Sequence, residues 1–203
     1  MDGSTVVAVA VGGLVFVLVA RAFVRTPGPQ SEVFEAWVRY CAKHHLRYVA
    51  PGMLLGERMP LIEGENFRLD LDETRSGDVR TLFTRILSRA ESPEKVRFRC
   101  EARSMDLAES LKTLATFDTE FDEDYALTAE DEESAKIAAR LMTEDVRAAL
   151  VAIRGRRGVR LDYDRGEITL TWRGAEMDHA TLDHARDAVL ALARARPRTA
   201  GYR

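Results

Sequence analysis

The stretch VRLDYDRGEITLTW, residues 159–172, alternates apolar and polar side chains through two runs joined by Asp164-Arg165-Gly166. Val159, Leu161 and Tyr163 face one way, and after the turn Ile168, Leu170 and Trp172 face the same way. The segment therefore reads as a β-hairpin with one buried face. The same period of two recurs upstream. Phe67, Leu69 and Leu71 alternate with Arg68, Asp70 and Asp72, and Val96, Phe98 and Cys100 alternate with Arg97, Arg99 and Glu101. Both runs predict half-buried strands of an antiparallel sheet. Between them, VRTLFTRILSRA (79–90) is ambiguous. Val79, Leu82, Phe83, Ile86 and Leu87 fit one helical face, but the Ser76-Gly77-Asp78 turn before it and the SPEK turn after it fit a meander, and the segment is assigned as a strand.

Helical periods surround these runs. Ser31 is placed to cap a helix whose stripe is Phe34, Trp37, Val38 and Cys41 and which runs to about His45. Leu107, Leu111 and Leu114 mark a short helix. Tyr125, Ala126 and Leu127 read as a brief strand. Thr128 and Asp131 then form a capping arrangement, with Glu130 to Glu133 in the first helical turn, where the helix dipole favours negative charge. Glu132 and Lys136 make a favourable pair four residues apart. A further helix after Thr143 buries Val146, Ala149, Leu150 and Ile153, and a terminal helix buries Leu182, Ala185, Val189 and Leu192.

At 203 residues, 46% hydrophobic and 31% charged, the chain has the composition of a globular protein. A net charge of -3 gives no electrostatic footprint for nucleic acid, and none is expected as a partner. Cys41 and Cys100 are far apart and show no paired spacing, which fits a reducing compartment.

The N-terminus carries a long apolar run, from Val6 to Ala20 without a polar side chain, resuming after Arg21 with Ala22, Phe23 and Val24. At 1.5 Å per residue this spans roughly 28 Å, about one hydrocarbon core. The run predicts a single-pass helix with membrane contact through residues 5–24. Arg21 and Arg25 lie on its C-terminal side and no Lys or Arg precedes it, which puts the bulk of the chain in the cytoplasm at the cell membrane. Ala8, Gly12 and Gly13 form a small-residue pattern through which two such helices could form a homodimer. The expected class is α+β: a transmembrane anchor (1–24), a TPGPQ-containing linker (25–30), one soluble domain (31–195) with an antiparallel sheet and packed helices, divisible into halves 31–104 and 105–195, and a basic tail (196–203).

The segment FDTEFDEDYALTAEDEESAKIAARLMTEDVRAAL (117–150) resembles a module of uncharacterised bacterial membrane-anchored proteins of the domain-of-unknown-function kind. Phe117, Phe121, Ala135, Leu141, Thr143, Val146 and Leu150 stand where that pattern expects them. Tyr125 and Ala126 depart from its plainer apolar pair. The resemblance implies a membrane-attached bacterial protein and carries no catalytic residue over.

Nine carboxylates and no Lys or Arg occupy residues 117–133. Asp118, Glu120, Asp122 and Asp124 alternate as in a calcium loop, but the Gly and closing Glu of an EF-hand are missing, so no metal is expected there and helix-start charge is the plainer account. These four are the candidate partner-binding residues: the acidic loop either attracts a basic protein or packs against a basic cluster of its own fold. That cluster is RGRRGVR (154–160), whose Arg154, Arg156, Arg157 and Arg160 are the candidate anion-binding residues, with Arg194, Arg196 and Arg198 of the tail in support. Cys41, His44 and His45 share about one helical turn but lack a second ligand pair for zinc. His179 and Asp183 in DHATLDHA could pair on one face, which reads as a surface ion pair before it reads as catalysis. No phosphate loop, nucleophile elbow or dinucleotide fingerprint is present, and no cofactor or catalytic residue is assigned. The expected function is a membrane-tethered interaction or assembly domain, ahead of an anionic-ligand or lipid-headgroup sensor, and ahead of an enzyme of unknown class.

Overall fold

The computed structural model describes residues 29–50, 59–103 and 114–196. In them the chain runs α1 (Pro29–His44), β1 (Arg47–Val49), β2 (Leu61–Glu63), β3 (Phe67–Ser76), β4 (Val79–Arg89), β5 (Arg97–Ala102), α2 (Thr119–Asp124), β6 (Tyr125–Ala129), α3 (Glu132–Leu141), α4 (Glu144–Ala152), β7 (Arg160–Asp164), β8 (Glu167–Arg173) and α5 (His179–Arg194). The strands form one eight-stranded sheet in the order β1-β2-β3-β4-β8-β7-β5-β6, and every pairing between them is antiparallel.

The hairpin read from residues 159–172 is β7–β8, in the middle of that sheet. Arg165 and Gly166 both have positive φ, 51° and 94°, the pairing that a two-residue type I′ turn requires between right-twisted strands. A β-carbon on Gly166 would also fall 2.4 Å from Pro93 Cβ. On one side β8 pairs with β4, setting Leu170 opposite Ile86 and Trp172 opposite Thr84. On the other, β7 pairs with β5, which in turn pairs with β6, so Cys100 lies opposite both Leu161 and Leu127. Strand β5 therefore sits between β6 and β7 in the same sheet.

Alternation sorts the sheet into two chemically different faces. Leu69, Leu71, Ile86, Phe98, Cys100, Leu161, Tyr163, Ile168, Leu170 and Trp172 lie on the face that packs against Trp37, Tyr40, Phe121, Leu141, Val146, Leu150, Leu182, Val189 and Leu192 of the helices, in one core cluster. The opposite face is a ladder of cross-strand ion pairs. Arg97 meets Asp164 at 2.7 Å, Arg99 meets Asp162 at 2.7 Å and Arg85 meets Asp70 at 2.8 Å across strands, and Arg160 meets Asp162 at 2.6 Å along β7. Opposite charges placed directly across from one another pair these outward side chains strand to strand.

Several expectations are corrected. In place of the expected fold class with a transmembrane helix, the described residues form an α+β fold on an eight-stranded antiparallel sheet, and no helix among them is long and apolar enough to cross a membrane. The single-pass and membrane readings therefore find no support. Residues 5–24, with Ala8, Gly12 and Gly13, lie outside the described residues. Helix α1 begins at Pro29, inside the expected linker, because proline is tolerated in a helix's first turn, where its missing N–H has no helical partner anyway. The first capping residue of α3 is Asp131, whose carboxylate accepts from Ser134 N at 2.7 Å, while Thr128 remains in β6. The ambiguous segment is a strand, as assigned: β4 covers Val79–Arg89. Of the short helix expected around Leu107 and Leu111, only Leu114 falls among the described residues, where its N–H donates to Leu127 O at 2.8 Å and bridges the edge strand β6.

Candidate functional site

The acidic stretch folds into a tight turn and the six-residue helix α2, not an open loop. Asp118 is the N-cap: its Oδ1 accepts from Phe121 N at 3.2 Å and its Oδ2 from Arg147 Nε at 2.9 Å. The Arg147 guanidinium, and after it the Phe121 amide, hold the Asp118 carboxyl below the usual carboxylate range. Asp122 reaches back and accepts from both Thr116 N, at 3.0 Å, and Thr116 Oγ1, at 2.9 Å. Glu120 and Asp124 both accept from Arg154 Nη1, at 2.7 and 3.2 Å. Phe121 points inward, fully buried, with its ring stacked on Tyr125 at 5.2 Å.

Between the two pinned residues Thr116 and Asp118 sits Phe117. Its φ is 63°, the left-handed region that aromatic side chains rarely adopt, and the residue is 97% exposed. Phe117 is thus exposed where Phe121, four residues on, is buried. Around it five carboxylates, Asp118, Glu120, Asp122, Glu123 and Asp124, outnumber Arg147, Arg154 and Arg103, whose Nε donates to Asp122 O at 2.8 Å, so the turn keeps a smaller acidic excess after its internal pairing.

The basic stretch 154–160 does not form a single anion site. Arg154 turns to the acidic helix, as one of the two sequence alternatives proposed. Arg156 bonds the carboxylates of Glu176 at 2.9 Å and Asp178 at 3.3 Å, and Thr181 Oγ1 at 2.7 Å. Arg160 lies on the outer sheet face against Asp162. Arg157 is exposed and contributes its backbone carbonyl to Arg173 N at 2.9 Å. Three of the four guanidiniums are thus aimed at carboxylates in three different directions. Of the supporting tail, Arg198 lies outside the described residues.

Two polar clusters escaped the sequence. One surrounds Glu176, only 8% exposed, in the loop before α5. Its Oε2 takes Arg156 and accepts from Trp172 Nε1 at 3.2 Å, and its Oε1 accepts from Met177 N and Asp178 N at 3.1 and 3.0 Å. Its backbone carbonyl accepts from Trp37 Nε1 at 2.8 Å and its N–H donates to Thr84 Oγ1 at 2.9 Å. One residue thereby ties α1, β4, β8 and the loop after α4 to the start of α5.

The other lies in the seam between α1 and α5. Tyr40 OH donates to Asp183 Oδ1 at 3.0 Å and accepts from Arg186 Nη1 at 3.1 Å, and Lys43 Nζ reaches Asp183 Oδ2 at 3.3 Å. His44 Nε2 is 3.1 Å from Asp183 Oδ1 but without hydrogen-bond alignment, so the ring sits beside the carboxylate instead of bonding it. His179 bonds Ala36 O at 2.9 Å, so the expected His179–Asp183 pair is not made. Nor do Cys41, His44 and His45 converge: Cys41 is buried, with burial pushing its thiol up to about 11, His44 turns to Asp183 and Arg186, and His45 is exposed with φ 54° past the end of α1.

The seam gives a pH dependence whose sign is fixed by its geometry. Arg186 Nη1 lies 3.3 Å from His44 Nδ1, and since arginine only donates, Nδ1 must keep its lone pair. Burial, and then the positive charges of Arg186 and Lys43, lower the His44 pKa against the opposing pull of Asp183. For Asp183, burial pushes the carboxyl up, but the Tyr40 hydroxyl and the neighbouring Lys43 and Arg186 outweigh it and the net direction is down. In both cases the unfolded chain binds the proton first as pH falls. The His44 contribution is present above the ordinary histidine range and lost on acidification through it; the Asp183 contribution follows at lower pH. Thermal melts are expected to show a melting temperature that falls between pH 7.5 and 5.5, with a shallower slope for His44→Gln. Equal slopes in the two proteins would contradict this reading of the seam.

No family model matches the chain, and no curated protein matches it. Among solved structures, the crystal structure of the mycobacterial trehalose monomycolate transport factor A, TtfA, matches with a TM-score of 0.47 at 9% identity, covering 79% of this chain and 92% of that one. A similarity at that level carries no conclusion about what this chain does.

Proposed function

We propose that this chain is a protein-interaction domain that works in an assembly, with the turn at residues 117–124 as its contact element. The observation that carries the reading is Phe117: an aromatic side chain in the left-handed region, 97% exposed, on a turn whose two flanks are fixed by side-chain hydrogen bonds. Strained residues persist where the surrounding structure over-determines them, and they cluster at functional sites such as ligand clamps and switch regions. The acidic excess on the same turn supports a partner with basic character, since complementary charge speeds encounter and fixes orientation. An anion-sensing role for Arg154, Arg156 and Arg160 is disfavoured by their internal carboxylate partners.

Glu120 and Glu123 are the carboxylates to reverse, because Asp118 and Asp122 also hold the turn together. The Glu120→Lys/Glu123→Lys chain is expected to melt within a few degrees of the wild type and to lose at least nine-tenths of the partner recovered by chemical crosslinking in cells. Undiminished recovery from a folded variant would end the proposal.

A further inference from the structure

Resting on that reading, we infer that the Phe117 ring is the anchor of the contact and that the partner is a protein presenting an apolar pocket with a basic rim. The backbone at Phe117 takes a positive φ where Thr116 meets Asp122 and Asp118 meets Arg147, a conformation that glycine adopts without steric cost and asparagine more readily than an aromatic residue. An aromatic there costs stability and, at 97% exposure, recovers nothing by packing against the described residues. Both neighbours of Phe117 are tied down, so the ring is held out on a fixed stem and loses little freedom when it is buried by a partner. Rigid aromatic side chains of this kind dominate interface energetics, with nearby polar groups setting orientation. Glu120, its side chain 64% exposed, and the exposed Glu123 lie on the helix that Asp118 caps, so a pocket that accepts the ring brings its rim against carboxylates. Lysine and arginine at that rim are the complementary choice.

The test uses the full chain in its native cells with the photoreactive residue p-benzoylphenylalanine at position 117, and at Val79, an apolar side chain 62% exposed on the β3–β4 hairpin, as the control. A peptide adduct formed at 117 and absent at 79, on a segment carrying Lys or Arg beside apolar residues, is the expected result. No adduct at 117, or one carrying lipid and no peptide, overturns the inference. With the captured protein purified, Phe117→Ala is expected to weaken binding on the order of thirtyfold, while Phe117→Gly melts at the same temperature as the wild type or higher. If Phe117→Ala binds like the wild type and the Glu120→Lys/Glu123→Lys chain does not, the anchor is refuted and the interaction reading stands. If neither variant loses affinity, both fall.

Discussion

Replacing Glu176 with alanine is expected to lower stability by about 3–4 kcal/mol, a fall of roughly 6–16 °C in melting temperature for a domain of this size. The carboxylate is 8% exposed while its Arg156 partner is 38% exposed, so part of the loss is softened by water reaching the guanidinium. The remainder is not: Trp172 Nε1 and the amides of Met177 and Asp178 lose their acceptors, and each buried donor left unpaired costs about 1–3 kcal/mol. Asp178, the N-cap of α5, is positioned by one of those bonds, so the start of α5 is expected to fray as well. Glu176→Gln keeps the shape and one acceptor oxygen and should lose less than the alanine variant. Thermal unfolding of the three chains checks the order, and an alanine variant within 2 °C or so of the wild type would show that Glu176 is not the tie between α1, β8 and α5.

The second large effect lies at the turn itself. Phe121→Ala removes a fully buried ring that stacks on Tyr125 and is the one buried residue of α2. Phenylalanine-to-alanine changes in cores cost about 3–5 kcal/mol; α2 is short and peripheral enough to relax into part of the space, which places the expected loss near the lower end, about 3 kcal/mol or roughly 6–12 °C. Four residues away, Phe117→Ala is expected to change the melting temperature hardly at all. The two variants therefore separate two consequences of an identical substitution. Losing Phe121 unlocks the turn and weakens both folding and partner binding, whereas losing Phe117 weakens binding alone. Equal melting temperatures for both variants would contradict the assignment of one ring to the core and the other to a partner.

The sheet was legible where one face of a strand is apolar and the other charged. Strands β3, β5 and β7 alternate cleanly because their outward side chains are arginines and carboxylates that pair with one another, and β8 alternates because Thr169 and Thr171 stand between its inward apolar residues. Strand β4 was ambiguous for a physical reason: its inner face carries Thr84 and Ile86 but Phe83 and Leu87 on the other face are also partly buried, so apolar residues run together and imitate a helical stripe. Strands β1 and β2 are three residues long, too short for any period to show. Helix α2 was read as loop because six residues with one buried side chain give no stripe.

The site was half legible. Acid excess at 117–124 and its pairing with Arg154 follow from charge alone. Phe117 carries no mark of exposure in the sequence, since Phe and Leu residues around it suggest packing; only the positive φ and the tied flanks distinguish it from Phe121. Glu176 was invisible for another reason. Its partners Trp37, Thr84, Arg156 and Trp172 come from four separate parts of the chain, and nothing short of the folded sheet brings them together.

Hydrogen–deuterium exchange of the full chain, free and bound to the protein captured through residue 117, measures the contact most directly. Slowed exchange on binding should be concentrated in peptides covering residues 114–126 and be absent from the β5–β7 outer face. Slowing across that charged face with none at 114–126 would place the partner elsewhere and remove the role assigned to the turn.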